Sequence, residues 1–240
     1  RRHTRYPIVT GVQTCALPIY FQSCIVIEDD VSISSRPFQS LMRKLKSPLP
    51  LDVFTVGLFS GLPKPVFWRI GGSWNAWRKT PYFSAWGWGV QREMWFKFRN
   101  ATINEKWATE GFSSKHWISM QKESQESWEY RFGKLRENPR FTWDYQIQYF
   151  TFKNNYVHVL PIFRSADNEG FGDARSTNTK LERPYWYFGK TYEEFISQEF
   201  SSNSKVSGFF TSIDSFTWAG DSKIFKKLVK FKNYFGRILS

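Results

Sequence analysis

Apolar residues run without interruption through Cys24-Ile25-Val26-Ile27 and stop against three acids, Glu28-Asp29-Asp30. A run with no polar residue to mark a wet side predicts a strand buried on both faces, as in the interior of an α/β sheet. Adjacent carboxylates repel one another in a core. They therefore belong at the strand's carboxyl end, the edge where open α/β sheets bind ligands. The bland alternative is an acidic turn that caps the next helix through Asp30 or Ser32. The period then changes. Ile33, Phe38, Leu41, Met42 and Leu45 fall at helical spacing with basic residues between them, Pro37 suits a first turn, and Ser47-Pro48-Leu49-Pro50 ends the helix near Lys46. Residues 51–59 read as a second buried strand, and the Pro- and Gly-rich stretch 61–80 as a loop with a short hairpin.

Trp86-Gly87-Trp88-Gly89 alternates indoles with glycines. Each glycine costs backbone entropy, so the stretch suits neither a helix nor an interior strand. It suits a loop where backbone approaches a ligand and indole faces line a pocket, with core aromatics as the rival reading and a helix following over 91–98. Residues 101–140 are polar and mixed in charge, helical around 115–132, and broken at Asn138-Pro139. Asp144 opens a helix over 145–154, where free amides and the helix dipole favour its charged form and so lower its pKa. Residues 156–163 read as a strand, and 165–179 as a loop rich in short hydrogen-bonding side chains. His116 and His158 stand isolated, without metal-ligand spacing, and receive no role.

Residues 201–220 read as a polar linker. Beyond it, Lys223, Lys226, Lys227, Lys230, Lys232 and Arg237 alternate with apolar residues and no acid intervenes. That is a basic amphipathic helix, either an anchor on an anionic membrane surface or a helix docked on its own domain.

At 240 residues the chain is long enough for one sizeable core, and 20% aromatic content excludes disorder. No run of apolar residues is long enough to span a bilayer. Cys15 and Cys24 do not make a disulfide framework and fit a reducing compartment. A net charge of +13 points to an anionic partner. With the three charges of residues 1–19 set aside, most of the remaining excess sits in the tail, which argues against nucleic acid. Residues 1–19 fit neither a signal nor a transit peptide. Val9–Ile19 resembles one reading frame of a sequencing-library adapter, and Arg1–Arg5 resembles the flow-cell end of the same oligonucleotide. The expected organisation is a non-native segment at 1–19, a catalytic domain at 20–200, and a linker with its helix at 201–240.

A strand ending in Ile27-Glu28-Asp29-Asp30, a Trp86-Gly87-Trp88-Gly89 loop opening a helix, a Trp143-Asp144 helix start and an Asn168-Glu169-Gly170-Phe171-Gly172 loop occur in that order. Together they resemble the bacterial GT-A-fold glycosyltransferases, the nucleotide-diphospho-sugar transferases of surface-polysaccharide assembly. The resemblance covers about residues 20–179. It implies an α/β GT-A domain that lacks its first βαβ half, with a C-terminal amphipathic helix. It also implies a nucleotide-sugar donor, a glycan or lipid-linked acceptor, Mn²⁺ or Mg²⁺ as cofactor, and a cytoplasmic position at the inner face of the plasma membrane. Asp30 is then the direct metal ligand, with Asp29 beside it and Glu28 near the donor ribose. Trp86, Gly87 and Trp88 wall the sugar or acceptor. Asp144 is the candidate general base of an inverting transfer, and Asn168, Gly170 and Gly172 close over the diphosphate. The alternatives are a non-catalytic carbohydrate-binding module or inactive remnant, and a single-stranded nucleic-acid binder.

Overall fold

The computed structural model describes residues 21–62, 76–103, 107–108 and 111–172, and beyond them 187, 191–194, 196, 211, 214–215 and 217–218. The segment 1–19 and the basic stretch 223–240 lie outside the described residues.

β1 (Ser23–Val26) leads through a turn into β2 (Val31–Ile33), the Val31 N–H donating to the Glu28 carbonyl at 3.1 Å. α1 (Ser35–Lys46) follows with Leu41 and Leu45 buried and Arg43, Lys44 and Lys46 in its last turn, where cations suit the negative end of the helix dipole. The order continues through β3 (Val53–Gly57), β4 (Trp77–Thr80), β5 (Trp88–Gln91) and α2 (Arg92–Thr102). It ends with α3 (Lys115–Ile118), α4 (Lys122–Glu137), α5 (Trp143–Asn154), β6 (Val157–Pro161) and β7 (Ala166–Asn168).

Five strands form one sheet in the order β1-β5-β3-β6-β4. β3 and β6 are parallel, while β5 is antiparallel to both β1 and β3, and β4 to β6. The fold is therefore mixed α/β with a mixed sheet. Because β5 opposes both neighbours, β1, β3 and β6 run the same way and their carboxyl ends share one edge. α1 covers one face through a core that includes Leu41, Leu45, Val56 and Val159. α2 and α5 cover the other through Phe54, Trp88, Val90, Met94, Phe98, Ile147 and Phe150. α4 packs outside α5 through Trp128, Phe132, Tyr149 and Phe152. α5 is thus buried on several sides, which explains why its sequence carries apolar residues all round rather than one stripe.

Three expectations need correction. β1 is not buried on both faces: it is one of the two edge strands of the sheet among the described residues, its residues are half-buried, and Ile27 is 45% exposed. β3 and β6, buried at every residue, have the profile expected of β1. An apolar run states that a strand is shielded but not which strands shield it.

The second concerns the glycine–tryptophan stretch, whose latter half is the interior strand β5. The glycine there serves packing. A Cβ at Gly89 would lie 2.3 Å from Leu45 Cδ1 and 2.9 Å from the Cys24 carbonyl, so only Gly lets α1 lie this close to the sheet. Any larger residue would overpack this layer, a change that costs about 1–3 kcal/mol. Gly87 is different. It holds φ +72°, and a Cβ there would meet Ile33 Cδ1 at 2.7 Å.

The third concerns 165–179, where residues 166–168 form β7 rather than loop and pair antiparallel with β2. Within the expected loop 61–80, β4 pairs with the distant β6 and not with a local hairpin partner. The isolated His158 is a satisfied core residue. Its Nδ1 lies 2.6 Å from Thr55 Oγ1 and its Nε2 3.0 Å from Thr151 Oγ1, and burial holds its pKa down at about 3.

Candidate active site

The site is assembled at the shared carboxyl edge of β1, β3 and β6. Short pairing brings together segments far apart in the chain. Val31 stands opposite Asn168, and the Glu169 N–H donates to the Asp30 carbonyl at 2.7 Å. The Leu58 N–H donates to the Gly87 carbonyl at 2.8 Å, and the Ser165 N–H to the Leu58 carbonyl at 2.9 Å. The acidic turn, the glycine–tryptophan stretch and the Asn168 segment therefore meet at one edge.

Glu28 and Asp30 are half-buried in that turn, whereas Asp29 is exposed. Burial pushes the Glu28 carboxyl up to about 7, and the carboxylates of Asp30, Asp144 and Asp29 add to the effect in that order. Asp144, more than a hundred residues along the chain, is thus one of the charges that act on the acidic turn. Among the described residues no three Asp, Glu, His or Cys side chains form a metal-holding group by themselves. One or two carboxylates opposite a diphosphate are the usual Mg²⁺ arrangement, so the negative turn fits an ion that the donor helps to hold.

Asp144 sits in the first turn of α5, where its carboxylate accepts from the Thr142 hydroxyl. The expectation that the helix start lowers its pKa is corrected. Burial raises it and outweighs the opposing backbone amides of Tyr145 and Asp144 and the Arg131 charge. A carboxyl held above its ordinary value is a stronger base, which suits proton transfer better than the expected weak one.

Asp144 lines a cavity of about 200 Å³ together with Phe83, Ala85, Trp128, Arg131, Tyr145, Gln148 and Trp218. The Gln148 amide is committed to backbone, accepting from the Phe83 N–H at 2.7 Å and donating to the Pro81 carbonyl at 2.8 Å. Arg131 lies over the Trp128 ring, with its guanidinium carbon 4.7 Å from the centroid.

The two indoles separate. Trp86 is half-buried and stands edge-on to Phe59 at 4.4 Å, with Phe171 and Trp218 5.9 and 5.7 Å away. Trp88 is 1% exposed and packs against Phe83 and Trp143. It is a core residue, because side chains alternate across a strand and the sheet turns this one inward. Asn168 is also 1% exposed. Its Oδ1 accepts from the Gly170 N–H at 2.8 Å, while its Nδ2 finds no partner among the described residues. Gly172 holds φ +86° just beyond.

Sequence reasoning missed Arg131, Trp128 and Trp218. A cation–aromatic pair at i and i+3 on a polar helix, Trp128 and Arg131, was the available signal. It also missed that the segment read as a linker contributes buried residues. Asp214 is fully buried and accepts both guanidinium nitrogens of Arg78, at 2.5 and 2.7 Å, and Ser215 Oγ lies 2.7 Å from Ser124 Oγ.

No protein-family model matches the chain, and no curated protein is similar enough to count as a relative. Among the described residues no helix is long and apolar enough to cross a membrane.

The raised Glu28 carboxyl makes a test of the acidic cluster. The folded state binds this proton more tightly than the unfolded chain, so stability falls as pH rises from about 4.5 through about 7. The neutral, buried His158 acts oppositely, costing stability as pH falls below about 6.5. The difference between wild type and Glu28→Gln isolates the first effect. In chelator, the variant's melting temperature gains on wild type as pH rises from about 5 to about 8. Parallel melting profiles would show that Glu28 does not feel the cluster.

Proposed function

We propose that the chain carries the catalytic part of a metal-dependent glycosyltransferase of the GT-A type. It moves a sugar from a nucleotide-diphospho-sugar donor to a hydroxyl of a glycan or lipid-linked acceptor in bacterial surface-polysaccharide synthesis. The observation that supports this reading best is that Asp144 lines an aromatic-walled cavity of single-sugar size, its charge being among those that raise the Glu28 carboxyl. Two roles need two carboxylate environments: one beside the donor diphosphate, the other beside the acceptor hydroxyl.

Asp30, with Glu28 and Asp29 beside it, would hold Mn²⁺ or Mg²⁺, which when bound neutralises charge on the departing diphosphate. Asp144 takes the proton from the acceptor hydroxyl as its oxygen bonds to the anomeric carbon. The bond from that carbon to the diphosphate oxygen breaks, and its electron pair leaves with the nucleoside diphosphate. Displacement from the opposite face inverts the anomeric centre. Trp86 offers an apolar wall to a pyranose face. The Asn168 Nδ2, buried without a partner among the described residues, supplies a donor beside the acidic turn, and Gly170 and Gly172 let backbone come close. The basic stretch 223–240 draws the reaction to the anionic cytoplasmic face of the plasma membrane.

The test uses the full natural chain and a panel of nucleotide sugars, with and without chelator. Nucleoside diphosphate is released with Mn²⁺, release stops on metal removal, and added metal restores it. Sugar binding that survives metal removal, with no release from any donor, would make this a carbohydrate-binding module instead.

A further inference from the structure

Arg131 and Asp144 line the same cavity, yet no salt bridge joins them among the described residues. Arg131 Nη1 is buried and has no hydrogen-bond partner there. Its guanidinium carbon sits over the Trp128 ring, a cation–aromatic contact that uses none of its N–H groups. A buried donor without an acceptor is costly, and a guanidinium has no acceptor capacity of its own with which to adapt. Nothing among the described residues satisfies it, which leaves that place to a ligand in the cavity. Gln148 spends its carbonyl and one N–H on the backbone of Phe83 and Pro81 and carries no charge, so Arg131 and Asp144 are the charged residues of the lining. Charge selection in this cavity therefore falls to Arg131.

We propose that the cavity takes one sugar unit bearing an anionic substituent, a carboxylate or a phosphate, and that Arg131 is its specificity-determining residue. The anion meets the guanidinium, which is shaped for two-oxygen acceptors, while a ring hydroxyl meets Asp144. The ring lies among Trp128, Tyr145 and Phe83. A space of about 200 Å³ is below the roughly 300–1,000 Å³ of sites that hold a whole drug-sized ligand, so it fits a single unit and not a nucleotide. Asp144 repels an anion placed on its own side, which orients the unit in one sense. As an acceptor preference this inference rests on the transferase reading; as a binding preference it does not.

The experiment titrates the full chain, without donor or metal, with methyl glucuronide, glucose 6-phosphate and methyl glucoside. One or both anionic probes bind at least about tenfold more tightly than the neutral one, the worth of one charge-assisted hydrogen-bonded contact. Preference for the uronate or for the phosphate identifies the source of the anion. Arg131→Gln removes the preference while leaving affinity for methyl glucoside in place, and Arg131→Lys retains part of it. Asp144→Asn tightens the anionic probe by relieving repulsion. Equal binding of charged and neutral probes, or an unchanged preference in Arg131→Gln, overturns the proposal. Should Arg131→Gln fail to fold, the wild-type preference and its Asp144→Asn response decide. Transfer to neutral acceptors as fast as to acidic ones would overturn the specificity and leave the transferase. A charge preference with no transfer from any donor would do the reverse.

Discussion

Asp144→Asn lowers turnover by about 10²–10⁴-fold, the contribution of a positioned general base, and leaves donor affinity unchanged. The amide keeps the size and the hydrogen bond to Thr142 but cannot take a proton at neutral pH. The effect belongs in the rate because proton removal occurs only as the acceptor oxygen bonds to carbon. Burial has already lifted the carboxyl from its ordinary range, so the wild-type group is a better proton acceptor than a surface aspartate. Initial rates of nucleoside diphosphate release at saturating donor and acceptor, with donor binding measured separately, check this. A rate within about tenfold of wild type would remove Asp144 from the chemistry.

Asp214→Ala destabilises the fold by about 3 kcal/mol or more, because it takes both charged acceptors from a buried guanidinium. Arg78 is 6% exposed and Asp214 fully buried, so water cannot readily replace the lost carboxylate. Ser60 Oγ remains 3.2 Å from Arg78 Nη2, a neutral contact that recovers only part of the loss. The contrast lies in removing both partners. Arg78→Met with Asp214→Leu costs much less than Asp214→Ala alone, since paired charges replaced by apolar groups leave no buried charge unpaired. Urea unfolding of the three chains decides it. A loss below about 1 kcal/mol in Asp214→Ala would mean that the pair is effectively solvated.

The same pair shows why Asp214, inside the stretch 201–220 expected to be a polar linker, was not read as buried. Short polar side chains between aromatics look alike whether they are solvated or satisfy one another inside, and Asp214 belongs to the second case. Trp88 misled in the opposite sense. An indole beside glycines suggests a ligand wall, but Gly89 is there to admit α1 at Leu45, and the strand's alternation sends Trp88 into the core. α1 was legible because its determinants are local: apolar spacing, a proline in the first turn, basic residues in the last; α5 was legible from its ends, Asp144 in the first turn and Asn154-Asn155 at the close. The acidic turn after β1 was legible too, since like charges cannot be shared by a core.

By itself, then, the amino-acid order determined the mixed α/β class, the main helices and strands, and the placing of Glu28, Asp29 and Asp30 outside the apolar interior. Those outcomes depend on periodicity and desolvation, which act within a few residues. Only the tertiary structure decided that β1 is an outer strand, that β2 pairs with β7 so that Asp30 meets Glu169, and that Asp144 shares a cavity with Arg131. It also decided the sign of the Asp144 shift. The helix start, visible in sequence, acts through partial charges at one turn, whereas burial by Trp128, Tyr145 and their neighbours removes water from the carboxylate and is the larger effect.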